Sequence, residues 1–255
     1  QILGTGIDHF DLEYWRAKKI SVANCPGQFT ADALAEGAMM FILMLTRRYS
    51  ELQINFKRGI FYRPLGLALE GMRLGIIGFG ASGMALARRA LAFDMKISAI
   101  DIRDVSDHER REFDLEFVGK PDSIDQVITQ SDVLSLHLHL TDETHHIIDE
   151  RRLKMMKPGS FLINIARGQL VDEDVLLDLL EQKKIGGAGL DAFGKEPPEK
   201  DSLIYTLDNV LVTPHTAGAT TGSVPTAGAA TKRAHAAKDN LDRIASGLDP
   251  LYLVN

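Results

Sequence analysis

From Arg73 onward, short β-rich runs alternate with helical patterns, and no other feature constrains the fold of this chain as tightly. The runs 74–78, 96–101, 116–118, 133–138, 161–166, 188–192 and 210–213 read as strands. Between them, 83–93, 123–130, 144–156 and 172–182 read as helices. In the last of these, Leu176, Leu177, Leu179 and Leu180 make an apolar stripe. Its first turn carries Asp172, Glu173 and Asp174, which suits the positive end of a helix dipole. Strands separated by helices need crossover connections, and crossovers make a parallel sheet covered on both faces. The expected class is therefore a doubly wound α/β domain.

Two segments fall outside this alternation. Residues 30–48 form a strongly apolar helix, with Thr30 as its N-cap after the Pro26-Gly27 break. An Ala-rich helix over 226–247 is closed by Gly247 and followed by Pro250. The longest apolar run, 38–45, is far shorter than the roughly 20 residues of a membrane span. Lys and Arg total 29 against 35 Asp and Glu, a formal charge of −6, so no basic excess exists to displace counterions from nucleic acid. A single cysteine, Cys25, excludes an internal disulfide framework and fits a reducing cytoplasm. No signal-peptide pattern opens the chain. The first residues, Gln1-Ile2-Leu3-Gly4-Thr5-Gly6, read as the end of a strand entering a turn, as though the chain began inside a larger element.

Gly78-Phe79-Gly80-Ala81-Ser82-Gly83 follows a strand and opens a helix. In that setting the first glycine permits a tight turn, the second admits a pyrophosphate to the backbone, and the third lets helix and strand pack closely. The helix N-terminus offers N–H groups to the phosphates. The next strand ends at Asp101, 18 residues after Gly83, where an acid accepts ribose hydroxyls and repels a 2′-phosphate. The pattern describes a Rossmann-type dinucleotide-binding domain and favours NAD over NADP. Arg103, two residues on, is the feature that could soften this preference.

Arg167, Glu196 and His215 each follow a strand, at spacings of 29 and 19 residues. In a parallel sheet the carboxyl ends of the strands share one edge, where ligands bind. Arg167 offers a forked cation for a substrate carboxylate. His215 exchanges a proton near neutral pH, and a neighbouring Glu196 would stabilise its imidazolium form. Taken singly, each has an ordinary alternative: a surface charge for Arg167 and Glu196, a loop histidine for His215. His137 and His139 share a strand face, and His145-His146 follow, but no cysteine or acidic cage joins them and no metal site is expected.

The same residues carry a family resemblance. Asn164-Ile165-Ala166-Arg167-Gly168-Gln169-Leu170-Val171-Asp172-Glu173 resembles the arginine signature of the D-isomer-specific 2-hydroxyacid dehydrogenases, the family of phosphoglycerate dehydrogenase. Gly189-Leu190-Asp191-Ala192-Phe193-Gly194-Lys195-Glu196-Pro197-Pro198 resembles its glutamate signature, and Thr213-Pro214-His215-Thr216-Ala217-Gly218 its histidine signature. Gly4-Thr5-Gly6-Ile7-Asp8, Asn24-Cys25-Pro26-Gly27 and Leu140-Thr141-Asp142-Glu143-Thr144 match further landmarks. The chain departs from the pattern at His139, where the family usually has proline.

The resemblance implies an NAD-dependent oxidoreductase acting at C2 of D-2-hydroxy or 2-oxo acids. Arg167 would bind the carboxylate, His215 would act as acid and base, and Glu196 would be its partner. Gly78, Gly80, Ala81, Ser82 and Gly83 would face the pyrophosphate and Asp101 the ribose. Leu138, His139 and Thr144 would lie along the cofactor, with Ile165 and Asp191 near the carboxamide. It implies three regions: 1–26 as the remnant of a flavodoxin-like substrate domain, 27–226 as the dinucleotide-binding domain, and 227–255 as a helix returning to the substrate domain. It also implies a homodimer, for which the apolar helix with Met39, Met40, Phe41, Leu43 and Met44 supplies surface. Two other readings stay open: an NAD-binding regulator resembling the family's corepressors, and a truncated member without turnover. The formate dehydrogenases resemble a pattern with Gln at the acid position, and Glu196 sets this chain apart from them.

Overall fold

In the computed structural model seven strands form one parallel sheet. They are β1 (Arg73–Ile77), β2 (Lys96–Ile100), β3 (Leu115–Gly119), β4 (Val133–Leu136), β5 (Phe161–Asn164), β6 (Gly187–Leu190) and β7 (Val210–Val212). Their order is β3-β2-β1-β4-β5-β6-β7, so the chain winds outward in one direction from β1 and then in the other from β4. The sheet is the doubly wound α/β arrangement expected from the alternation. Strands β4, β5 and β6 are buried along their whole length, as interior parallel strands must be, while the edge strand β3 is half-exposed.

Register puts the ends of the strands level. Gly119 lies opposite Ile100, Ile100 opposite Ile77, and Ile77 opposite Leu136. Leu136 then faces Asn164, Asn164 faces Leu190, and Leu190 faces Val212. These are the last residues of all seven strands, so every loop at the carboxyl edge starts from one row.

The helices are α1 (Leu12–Ala17), α2 (Ala31–Thr46), α3 (Tyr49–Lys57), α4 (Ala81–Leu91), α5 (Asp107–Glu112), α6 (Ile124–Gln130), α7 (Glu150–Met155), α8 (Glu173–Glu181) and α9 (Ala229–Ala245). The structure describes residues 1–222 and 228–255, which gather into two units. One is Leu34–Ala217, which holds the sheet; the other combines Gln1–Ala33 with Gly218–Asn255. Within the sheet unit, α2 lies hard on β6: a Cβ at Gly189 would stand 2.5 Å from Phe41 Cβ, and Phe41 is buried. Within the other unit, Ala23 pairs antiparallel with Leu253. There the buried Asn240 donates to Gln1 Oε1 at 2.6 Å and accepts from Leu251 N–H at 2.7 Å.

Three expectations change in detail. The helix expected over 144–156 forms only as α7. Ile148 is extended, donating to Leu170 O and accepting from Asp172 N–H at 3.0 Å each, and Asp149 caps a new start by accepting from Arg152 N–H at 2.9 Å. Thr30 does not serve as expected before α2. Its hydroxyl donates to Gly27 O at 3.2 Å and closes the preceding turn. The Ala-rich helix runs over Ala229–Ala245, and its expected start at Thr226 lies outside the described residues.

Leu162, fully buried in the middle of β5, tests the core. Leu162→Ala should lower unfolding free energy by about 2–5 kcal/mol. In denaturant titration this should shift the midpoint with the slope unchanged.

Candidate active site

The turn after β1 is built for close approach. Gly78 has φ +97°, and a Cβ there would meet His137 O at 2.5 Å; one at Gly83 would meet Gly78 O at 2.3 Å. A Cβ at Gly80 would meet nothing within 4 Å, so the turn presents bare backbone to open space. Gly80 is the N-cap of α4, and no side chain caps the helix there. Its first N–H groups are thus available to an anion, and with the glycine cradle they fit a pyrophosphate. Ala81 and Ser82 form the first turn of that helix. Asp101, one residue past β2, reaches back to the same turn: Oδ2 accepts from Phe79 N–H at 2.6 Å and Oδ1 from Arg103 N–H at 2.8 Å.

The next loop edge, after β4, adds His137, which the sequence placed only on a strand face beside His139. His137 Nδ1 is 3.0 Å from Ser82 Oγ and its Nε2 is 3.0 Å from Ser135 Oγ. Desolvation pushes His137 down to about 3, so the ring is neutral and bridges the glycine-rich turn to β4. Leu138 is half-buried and His139 exposed. Thr144 ties this loop together, its hydroxyl donating to His139 O at 2.7 Å and accepting from Thr141 N–H at 2.8 Å. His145 and His146 stack on each other with ring centroids 4.1 Å apart. Among the described residues no group of three or more His, Cys, Asp or Glu is arranged to hold a metal ion.

Past β5, β6 and β7 the three signature loops meet. Asn164, the buried last residue of β5, folds the arginine loop: its Nδ2 donates to Arg167 O at 2.7 Å and its Oδ1 accepts from Ala166 N–H at 3.1 Å. Ile165 is buried between them, and Arg167 Nη1 donates to Ala166 O at 2.8 Å. His215 Nδ1 sits 2.8 Å from Glu196 Oε2 and 2.9 Å from Oε1, with both side chains about two-fifths exposed. Phe193 N–H donates to Glu196 Oε1 at 3.1 Å and fixes the carboxylate. His215 holds φ +54°, a left-handed backbone uncommon for a side-chain-bearing residue and often found at functional sites. The buried Asp191 secures the histidine loop. Its Oδ1 accepts from Thr213 Oγ1 at 2.5 Å and Thr216 N–H at 2.8 Å, and its Oδ2 from Ala217 N–H at 2.9 Å.

The arginine and glutamate loops are also locked together. Gly168 packs so tightly on the Phe193–Gly194 peptide that a Cβ would fall 1.8 Å from Phe193 C. Gln169 Nε2 donates to Gly194 O at 3.0 Å, and Glu173 Oε2 accepts from Gly194 N–H at 2.9 Å. Burial raises Glu173 above the usual carboxylate range, against the lowering effect of that hydrogen bond, and the charges of Asp174 and Glu196 add to the rise. Gln169 and Glu173 were not singled out as site residues.

A glycine-rich turn with an acid at the end of the second strand, and a carboxylate–imidazole pair on the same sheet edge, define a dinucleotide-dependent oxidoreductase class. The comparisons give the family. Residues 39–217 match the model of the D-isomer specific 2-hydroxyacid dehydrogenase NAD binding domain. The chain is similar to the glyoxylate reductase of Thermofilum pendens, 36% identical over 98% of this chain and 72% of that protein. It is also similar to the hydroxypyruvate reductase of Thermotoga maritima, 38% identical over 85% of this chain and 69% of that one. The D-lactate dehydrogenase of Aquifex aeolicus, solved with NAD and lactic acid, matches with a TM-score of 0.82 and 31% identity. That match covers 96% of this chain and 75% of that one. The chain belongs to the D-isomer specific 2-hydroxyacid dehydrogenase family and carries its NAD-binding domain; it spans about two thirds of the length of the curated relatives it matches.

The loop lock predicts that Gly168→Ala is severe. The Cβ collides with backbone on both sides of a peptide bond, which no rotamer relieves. Thermal unfolding should show a lower midpoint. Gln169→Ala, which removes one hydrogen bond and leaves the packing, should cost only about 0.5–1.5 kcal/mol.

Proposed function

We propose that the chain carries the hydride-transfer machinery of an NAD-dependent oxidoreductase that interconverts 2-oxo acids and D-2-hydroxy acids. Names such as glyoxylate reductase and hydroxypyruvate reductase among its relatives point to short, polar 2-oxo acids. The observation that carries the proposal is the His215–Glu196 pair at the sheet edge that also bears the dinucleotide turn. NAD, the cofactor of this family's domain, supplies the hydride when bound in reduced form.

The chain's own residues then have distinct tasks. Nδ1 of His215 faces Glu196, so it carries a proton and donates to the carboxylate, which leaves Nε2 as the nitrogen that exchanges a proton with substrate. In reduction, protonated His215 gives that proton to the carbonyl oxygen as it becomes a hydroxyl, and Glu196 stabilises the imidazolium beforehand. Arg167 binds the substrate carboxylate and draws charge toward the carbonyl. Gly80, Ala81 and Ser82 present N–H groups to the pyrophosphate and Asp101 accepts from the adenosine ribose. The segment from Leu138 through His139 to Thr144 borders the cofactor. Asp191 and the backbone at Ile165 face the carboxamide, Oδ2 of Asp191 keeping acceptor capacity beyond its bond to Ala217.

We also propose a homodimer. Most of the apolar side chains of α2 are covered within the chain. Exposed apolar surface instead collects at the end of α3 and beyond it, at Phe56, Phe61, Tyr62 and Leu65, the last two 98% and 84% exposed. Residues 1–26 we assign to a substrate-binding domain, 27–226 to the dinucleotide-binding domain, and 227–255 to a helix returning to the substrate-binding domain.

Activity measurements separate the roles. His215→Ala should abolish most turnover and leave NADH affinity nearly unchanged, since the imidazole acts on the substrate oxygen. Arg167→Ala should damage both substrate binding and the chemical step, losing a charge-assisted contact of about 1.5–3 kcal/mol. Glu196→Ala removes the carboxylate that faces Nδ1 of His215, so turnover should fall while NADH affinity stays nearly unchanged. Undiminished turnover would make Glu196 a bystander. Sedimentation at tens of micromolar should give a dimer, and Leu65→Glu should shift it toward monomer; a monomeric unmodified chain would refute the dimer.

A further inference from the structure

A cation two residues past Asp101 stands where a 2′-phosphate would attract it. Yet both terminal nitrogens of Arg103 are engaged. Its guanidinium forms a forked pair with Glu109, Nη1 to Oε2 at 3.1 Å and Nη2 to Oε1 at 2.9 Å. The same two nitrogens donate to carbonyls, Nη2 to Phe79 O at 2.7 Å and Nη1 to Asp104 O at 3.3 Å, and Nη2 also lies 3.7 Å from Met84 Sδ. Both terminal nitrogens are thus engaged by groups of the chain itself. Glu109 is itself immobilised as the N3 residue of a capping box, accepting from Ser106 N–H at 2.8 Å and Ser106 Oγ at 2.9 Å. Chiefly the hydrogen bond from Arg103, and then that from Ser106 N–H, hold its carboxyl down at about 2, so it keeps its charge across the working pH range. Lys120, the neighbouring cation past β3, is occupied too, pairing with Asp104 at 2.7 Å and donating to Ile102 O at 2.9 Å.

We infer that Glu109 is a cofactor-specificity residue: it holds Arg103 against the carbonyl of Phe79 in the dinucleotide turn and so withholds that cation from a 2′-phosphate. The inference rests on the dinucleotide reading of this site. Two devices then reject the phosphorylated cofactor. Asp101 repels it directly, and Glu109 removes the counter-charge that could offset the repulsion. Arg103 gains a second task, because its bond to Phe79 O complements the bond of Phe79 N–H to Asp101 and fixes both sides of that residue.

The test is equilibrium binding of NADH, NADPH, AMP and 2′,5′-ADP, read by calorimetry. The last two probe the adenosine half without any hydride chemistry. Glu109→Gln keeps an amide oxygen for Ser106 and preserves the cap; Glu109→Ala removes the ion pair that holds Arg103 and leaves its bonds to Phe79 O and Asp104 O, with thermal unfolding as the check on folding. Both should leave NADH and AMP affinities within about twofold. In an Asp101→Ser background, where the repulsion is gone, Glu109→Ala should tighten NADPH and 2′,5′-ADP by about tenfold or more, the scale of one charge-assisted contact. Arg103→Ala added to that double variant should abolish the gain. Unchanged 2′-phosphate affinity on Glu109→Ala, or a gain that survives Arg103→Ala, would overturn the inference. Failure of the unmodified chain to bind NADH and AMP would instead overturn the cofactor reading, and the inference with it.

Discussion

The seven strands stop at the same height, and the site depends on that alignment. Gly119, Ile100, Ile77, Leu136, Asn164, Leu190 and Val212 lie opposite one another as a single row of final residues. The residue after each of these in β1, β2, β4, β5, β6 and β7 is Gly78, Asp101, His137, Ile165, Asp191 and Thr213. Residues proposed to serve cofactor and substrate, far apart in sequence, therefore begin from one line. A slip of one residue in any pairing would turn that strand's side chains to the opposite face and shift its loop along the edge. Burial of β4, β5 and β6 on both faces makes such a slip costly, so core packing fixes the site's coordinates.

Above the row, the loops hold one another through backbone atoms. Asn164 shapes the arginine loop, and Gly168 brings that loop against the Phe193–Gly194 peptide. Phe193 N–H then orients Glu196, and Glu196 orients His215. From the other side Asp191 secures Thr213, Thr216 and Ala217 on either flank of His215. The unusual backbone of His215 is thus set by a loop pinned before and after it. Preorganisation of this kind would spare the proposed reaction the cost of ordering its acid–base group.

The fold was legible because its signal is periodic and repeated: the central strands are apolar, helices such as α4 and α8 bury one apolar face, and their alternation points to one architecture. Strand starts were read within a residue, while strand ends, except that of β3, were read one or two residues long. The overrun has a physical cause, since the apolar or small residues that follow, such as Ile165 and Ala192, are buried beneath the loops and carry the same signal as strand residues. The helix read over 144–156 failed because its first half pairs with Val171 through Ile148, a long-range contact that local pattern does not encode. Among site residues, Glu196 and His215 were read correctly as neighbours, since both follow adjacent strands. What sequence could not reveal was backbone chemistry: Gly194 has no side chain to advertise its bonds to Gln169 and Glu173. Arg103 stood out by position alone, and its engagement with Glu109 appears only when the loop after β2 is folded.

The central claim is that Glu196 holds His215 with Nδ1 protonated and Nε2 directed to substrate. The most direct test is the nitrogen NMR spectrum of histidine-labelled protein, with His215 assigned by its loss in His215→Ala. Above the titration range, the account predicts that His215 is the Nδ1–H tautomer, and that Glu196→Ala lets the Nε2–H form preferred by an unpartnered ring gain population. A dominant Nε2–H tautomer in the unmodified protein, or a tautomer indifferent to Glu196, would contradict it.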